Sequence, residues 1–251
     1  LVREKVDLQA LTDCLQPAAV VEGARLFNKK GELGNDAPTI AVARDKAFCF
    51  YYPDNLEMLE KLGAQIKLFS PLDDDGLPEN IDGIYLGGGY PEVFAAQLAE
   101  KKELMGQIKQ FSDSGMPVYG ECGGFMALCL SLSGTEPAGA SAMAGCFDLS
   151  VTMSKRLRSL GYREIQLKKD TIIGKKGTVI RGHEFHYSSV TGSDDQYENV
   201  YQVSSRAGQD VGVKGYQVNQ TLGSYLHIHF ASNPDSALAL VAACREYRKK
   251  K

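Results

Sequence analysis

Between residues 39 and 132, short apolar runs alternate with stretches whose apolar positions recur every three or four residues. That alternation predicts strands interleaved with helices, and hence a parallel sheet covered on its faces. "TIAVAR" (39–44) predicts the first strand. "PDNLEMLEKLG" (53–63) opens on Pro53 and Asp54, spaces Leu56, Leu59 and Leu62 by threes and stops at Gly63, so it predicts a helix with both ends marked. "QIKLFS" (65–70) and "DGIYLGGG" (82–89) predict two more strands, the latter ending in three glycines. One long helix is predicted over 93–114, closed by Gly115; "PVYGE" (117–121) is the fourth strand and 123–132 the helix after it.

Beyond Ser133 the pattern changes. "SGTEPAGASAMAG" reads as a small-residue loop, and strands with polar turns are predicted at 162–167, 178–187, 200–204, 216–221 and 223–230 before a last helix at 234–248. Ahead of the sheet, Leu8, Leu11, Leu15 and Ala19 predict one amphipathic helix that ends near Pro17. "NKKGELGNDAP" (28–38) has the composition of a linker, so the compact domain is expected from residue 38 onward. The fold class is α/β: a mainly parallel sheet flanked by helices, with added β segments in the second half.

Composition narrows the function. With 251 residues, 43% of them hydrophobic, the chain can bury a real core. Its formal charge of -3, from 28 basic and 31 acidic residues spread along the chain, favours neither nucleic acid nor a membrane surface. No apolar run approaches a membrane span and no basic-then-apolar leader opens the chain, so a soluble cytoplasmic protein is expected. The six cysteines, at 14, 49, 122, 129, 146 and 244, are irregularly spaced without a C-x-x-C, which suggests reduced thiols rather than a zinc ribbon or a disulfide framework.

Chemistry concentrates in "VYGECGGF" (118–125), where glycines surround Cys122 between a strand and a helix start. A strand that runs straight into a helix makes a sharp turn whose apical side chain points outward, and small neighbours permit it. Cys122 is then either a small buried residue in that turn or a presented nucleophile, and the elbow context favours the nucleophile. A helix start and a nearby imidazole would lower its pKa toward the physiological range. The amide after the nucleophile, at Gly123, could supply half of an oxyanion hole, and the glycine loop 87–89 the other half. Cys129 and Cys146 read as structural.

A thiol nucleophile needs a base. The four histidines fall in two pairs, His183 and His186 in "GHEFHYS" and His227 and His229 in "GSYLHIHF". Neither has the H-E-x-x-H spacing, and no metal is expected.

Taken together, "GGGYPE", "YGECGGF" and "GSYLHIHF" resemble the glutamine amidotransferase domain of class I type, in the branch that amidates corrinoid carboxylates. "RGHEFHYS" (181–188) is similar to cobyrinic acid a,c-diamide synthases in particular, more than to cobyric acid synthases. The resemblance runs from about Thr39 to the C-terminus. It implies that Cys122 attacks the side-chain amide of glutamine and that His227 activates the thiol and protonates the leaving amine. It also implies that backbone N–H groups near Gly88 and Gly123 hold the oxyanion. Many class I members follow the histidine with Pro-Glu, whereas Ile228 and His229 follow His227 here. Glu184 or His229 is then the group that orients the imidazole, unless the pair acts as a dyad. His183, Glu184 and His186 are open to a structural or a substrate-contact role.

The resemblance further implies an ATPase domain that activates the acceptor carboxylate with ATP and Mg2+. No G-x-x-x-x-G-K-[ST] occurs in this chain, and "GKKGT" (174–178) has the wrong spacing. Residues 1–37 are expected to be the last helix of that ATPase domain plus a linker, and 38–251 the amidotransferase domain, needing no cofactor of its own. Glutamine, the ATPase domain and a corrinoid are the implied partners. A nickel-sirohydrochlorin a,c-diamide synthase or a cobyric acid synthase within the family, a cysteine hydrolase or redox protein on a related fold, and an inactive domain docking on the ATPase domain are the competing readings.

Overall fold

A computed structural model describes residues 7–13, 36–135 and 139–251. Of the region before the linker it describes α1 (Leu8–Asp13); the rest of the predicted first helix and most of the linker lie outside the described residues.

The main sheet has six strands in the order β12-β13-β4-β3-β1-β2. They are β1 (Thr39–Ala43), β2 (Gln65–Phe69), β3 (Gly83–Leu86), β4 (Val118–Glu121), β12 (Gly215–Val218) and β13 (Thr221–Ser224). All neighbours are parallel except β12, which runs antiparallel to β13. The central strands read as apolar runs because both faces are buried. Along β1, Ala41 and Ala43 enter one core while Ile40 and Val42 enter the other; Ile84 and Tyr85 divide in the same way on β3.

Each face carries helices and a further sheet. On one side lie α3 (Ala95–Glu100), α4 (Lys102–Asp113) and α5 (Gly123–Leu128), which contribute Leu98, Leu104, Ile108 and Phe125 to the core. With them packs a sheet of β10 (Ser188–Thr191), β7 (Ser150–Met153), β5 (Ser131–Ser133) and β6 (Ala140–Ala142). The other side holds α2 (Pro53–Lys61) and α6 (Pro234–Arg248), with a sheet of β11 (Tyr201–Ser205), β8 (Ser159–Leu167), β9 (Val179–His186) and β14 (Leu226–Ile228). Both of these helices have Pro at their start; Asn233 caps α6 by accepting the Asp235 N–H, and Gly63, at φ 94°, follows α2.

Several boundaries differ from the expected ones; the strand expected over 216–221 is a hairpin of β12 and β13, with Asn219 at φ 50° in its turn. The predicted helix 93–114 is two helices, because Lys101 leaves the helical region at ψ 52° and the break lets both pieces keep their apolar sides on one core. The helix expected over 123–132 stops at Leu128: Cys129 is extended, and the next residues pair with β6 and β7 as strand β5. The segment 223–230 is divided between sheets, since β13 stays beside β4 while β14 pairs with β9. The small-residue stretch expected to be a loop contains β6.

Candidate active site

Cys122 stands where β4 passes directly into α5, with φ 47° and ψ -102°, a region that residues bearing a side chain seldom occupy. Such a residue costs on the order of 1–3 kcal/mol and persists only where neighbours over-determine it. Here its N–H donates to Ser224 O at 2.8 Å and its carbonyl accepts the Met126 N–H at 3.0 Å. Next along, Gly124 N–H donates to Gly87 O at 2.8 Å, and a Cβ at Gly124 would overlap Leu86 O. Only glycine lets α5 lie so close against β3. The thiol ends buried, donating weakly to Phe185 O at 3.7 Å.

His227 reaches the same cleft by another route. After Ser224 the chain leaves the main sheet, and β14 places His227 opposite His183 of β9. The two imidazoles stack with centroids 4.6 Å apart, and Phe50 packs edge-on against His227 at 4.7 Å. Gly88 lies against the ring, since a Cβ there would overlap His227 Cε1. Nδ1 of His227 is buried and has no hydrogen-bond partner among the described residues. Cys122 and His227 both line one cleft of about 190 Å³, together with Glu92, Phe185 and His186. That volume lies below the range for drug-sized ligands and suits a small molecule.

Burial pushes the Cys122 thiol up to about 12; the Gly123 N–H opposes this, and the charges of Glu92, Glu121 and Glu184 add to it. Burial, with His183 and His186 nearby, pulls His227 down to about 3. Both shifts favour the neutral forms, a thiol and an imidazole lining the same cleft. The expected lowering of the thiol pKa is outweighed, because the one amide at the helix start competes with almost complete desolvation.

Gly88 does not offer a free amide: its N–H donates to Phe50 O at 3.1 Å and its carbonyl accepts the Phe50 N–H at 2.9 Å. Gly87 N–H is likewise engaged, by the Tyr51 hydroxyl at 2.8 Å. Gly89 N–H has no acceptor among the described residues, and it lies against Gly123, where a Cβ would come within 3.0 Å of it. The amide that this loop leaves available is thus one residue beyond the expected Gly88.

The three other expected residues separate. Glu184 lies opposite Leu226, so along β9 it alternates away from His183 and His227. Its carboxylate accepts from Arg163 Nε at 2.9 Å and pairs with His186 Nε2 at 2.9 Å. Burial works to raise the Glu184 carboxyl, but hydrogen bonds from His186, Ser159 and Arg163 hold it below the ordinary range. His186 stacks on Tyr225 at 3.9 Å and lines the cleft. His229 sits outside the cleft, against Tyr52 at 4.7 Å and 3.7 Å from Asp54. Neither Glu184 nor His229 touches His227, whose ring is held by stacking instead. Among the described residues no three His, Cys, Asp or Glu side chains form a metal-binding group, and the five of the six cysteines that are described are free thiols.

Three residues of the site escaped the sequence reading. Phe50 carries no local signal. Glu121, a charge within a buried strand, carries one, because an acidic side chain there must be hydrogen-bonded. Glu92 closes the "GGGYPE" stretch and enters the cleft with Cys122.

This arrangement of sheet, elbow and glycine loop is the class I glutamine amidotransferase fold. A solved glutamine amidotransferase superposes with a TM-score of 0.56 at 13% identity, covering 82% of this chain and 98% of that one. The chain belongs to the CobB/CobQ-like glutamine amidotransferase domain family, whose family model matches residues 39–235. Among its relatives are the cobyrinate a,c-diamide synthases of Caldanaerobacter subterraneus subsp. tengcongensis, 39% identical over 84% of this chain and 46% of that one, and of Leptospira interrogans serovar copenhageni, 42% identical over 82% and 45%. The chain spans about half the length of the curated relatives it matches.

Proposed function

We propose that this chain is the glutamine-hydrolysing portion of a cobyrinate a,c-diamide synthase. In this reading the Cys122 sulfur attacks the side-chain amide carbon of glutamine while its proton passes to His227, a transfer that a neutral imidazole can accept. The Gly89 and Gly123 amides stabilise the oxyanion. Collapse of the tetrahedral species expels ammonia, protonated by His227, and leaves a glutamyl thioester on Cys122. Water attacks the thioester and releases glutamate. Cys122 and His227 act as a dyad, with Phe50 and His183 orienting the ring.

The ammonia then serves a separate ATPase domain, expected ahead of residue 38, where ATP and Mg2+ activate the a and c carboxylates of the corrinoid. No helix among the described residues is long and apolar enough to cross a membrane, which is compatible with a cytoplasmic setting. The observation that most supports the reading is the meeting of Cys122 and His227 in one cleft of a domain of this family. The test is glutamate release from glutamine by the full chain. Loss in Cys122→Ala and His227→Ala is expected; activity that survives Cys122→Ala removes the nucleophile. Joined to its ATPase domain and given ATP, Mg2+ and cobyrinic acid, the enzyme should form the diamide.

A further inference from the structure

One carboxylate in the cleft, that of Glu92, is only half satisfied, its own backbone N–H being the donor that reaches it. Oε2 of Glu92 is buried without a hydrogen bond, although it lines the same cavity as Cys122. A buried carboxylate oxygen left unsatisfied is costly, and in a folded protein it calls for an explanation. No lysine or arginine lines this cavity, so the protein itself supplies no cation there. Glu92 therefore sets a negative, hydrogen-bond-accepting wall close to the sulfur. An amino-acid amide carries a matching group, since its ammonium is separated from the amide carbon by two methylenes and the α-carbon.

We propose that Glu92 binds the α-ammonium of the amide substrate and so selects a free amino acid over other primary amides. This assignment rests on the glutamine-hydrolysis reading. It also gives the carboxylate a second effect. Burial holds the Glu92 carboxyl above its usual range, and Glu92 is the foremost of the carboxylates that oppose ionisation of Cys122. An ammonium seated on Glu92 neutralises that opposition. Substrate binding would then ease the loss of the thiol proton as it positions the amide.

The experiment compares L-glutamine with glutaramate, the same amide without the amino group, by measuring kcat/KM on the full chain. Wild type should prefer glutamine, and Glu92→Gln should lower kcat/KM for glutamine by about tenfold to a hundredfold, chiefly through KM. Hydrolysis of glutaramate, which has no ammonium to lose, should not fall and should rise as the Glu92 charge no longer opposes ionisation of Cys122, so the preference collapses. Equal losses on both amides, or an unchanged preference, overturn the assignment while leaving glutamine hydrolysis in place. A wild-type chain inactive on both overturns the underlying reading and this assignment with it. Calorimetric binding of the two amides to Cys122→Ala, with and without Glu92→Gln, repeats the comparison apart from chemistry, and thermal unfolding of Glu92→Gln shows that it folds.

Discussion

Glu121 Oε1 accepts the backbone N–H of Ile228 at 3.0 Å, so the residue before Cys122 holds the residue after His227. The same oxygen accepts from the Tyr119 hydroxyl at 2.7 Å, and Oε2 accepts from Tyr85 at 3.0 Å. This buried carboxylate ties the strand that ends in the thiol to the strand that carries the imidazole. Burial pushes its pKa up to about 7 against the pull of those three donors.

Replacing Glu121 with Ala strands three buried donors and should cost ~2–4 kcal/mol, read as a lower urea midpoint, with a larger proportional loss of glutaminase activity. Glu121→Gln keeps an acceptor for Ile228 and Tyr119 and should retain more of both. The sign of the pH effect follows from the raised pKa. The folded state binds this proton more tightly than the unfolded state, so Glu121 adds stability at low pH that is lost as pH rises from about 4.5 through about 7. The loss should approach about 3 kcal/mol, and Glu121→Gln should abolish it. Parallel stability profiles for wild type and Glu121→Gln would refute this titration.

The first half of the fold is legible in the sequence because β1, β3 and β4 are buried on both faces and therefore appear as largely apolar runs, with Glu121 the one charge among them. Strands β5, β6 and β7 are three or four residues of Ser, Ala, Thr and single apolar residues, and only their long-range pairing makes them strands. Cys122 is legible for a local reason, since its glycines announce the turn. The state of its proton is not, because the cleft that buries it is closed by Phe185, Met153 and Tyr187, which converge from distant segments. The same holds for His227: its strand is visible, whereas the rings of Phe50 and His183 that flank it meet only in the folded chain.

Phe50 is 39% exposed, so its removal should disturb the site more than the core. Phe50→Ala frees one side of the His227 ring, whose Nδ1 has no hydrogen bond to fix it. We expect kcat for glutamine hydrolysis to fall by roughly tenfold while stability drops by less than about 1 kcal/mol, since edge-to-face aromatic contacts contribute about 0.5–1.5 kcal/mol. Steady-state kinetics beside thermal melts would check this, and unchanged kcat would mean that His183 suffices to hold the ring.

Gly88 is required by the base rather than by its backbone. Its φ is not positive, so alanine is sterically allowed locally, but the added methyl would occupy the position of His227 Cε1. Gly88→Ala should displace the imidazole and reduce glutaminase activity by at least about a hundredfold, in keeping with the 10²–10⁴-fold worth of general acid–base catalysis. The fold should survive, as the Phe50–Gly88 backbone bonds do not involve the side chain. A crystal structure of the variant should show His227 rotated or shifted; an active variant with the ring in place would contradict the close approach.

The protonation state of the thiol can be read directly by alkylation. With Cys122 pushed up to about 12 and His227 down to about 3, the thiolate is a minor species at neutral pH. Iodoacetamide labelling of Cys122, followed by peptide mass spectrometry to separate it from the exposed Cys49, should therefore be slow at pH 7 and rise about tenfold per pH unit through pH 9. A Cys–His ion pair would behave in the opposite way, with a fast rate that is flat across this range. His227→Ala separates the two cases further. Removing a neutral imidazole should leave the labelling profile nearly unchanged while hydrolysis of glutamine is lost, because in this site the histidine takes the proton during attack rather than holding it beforehand.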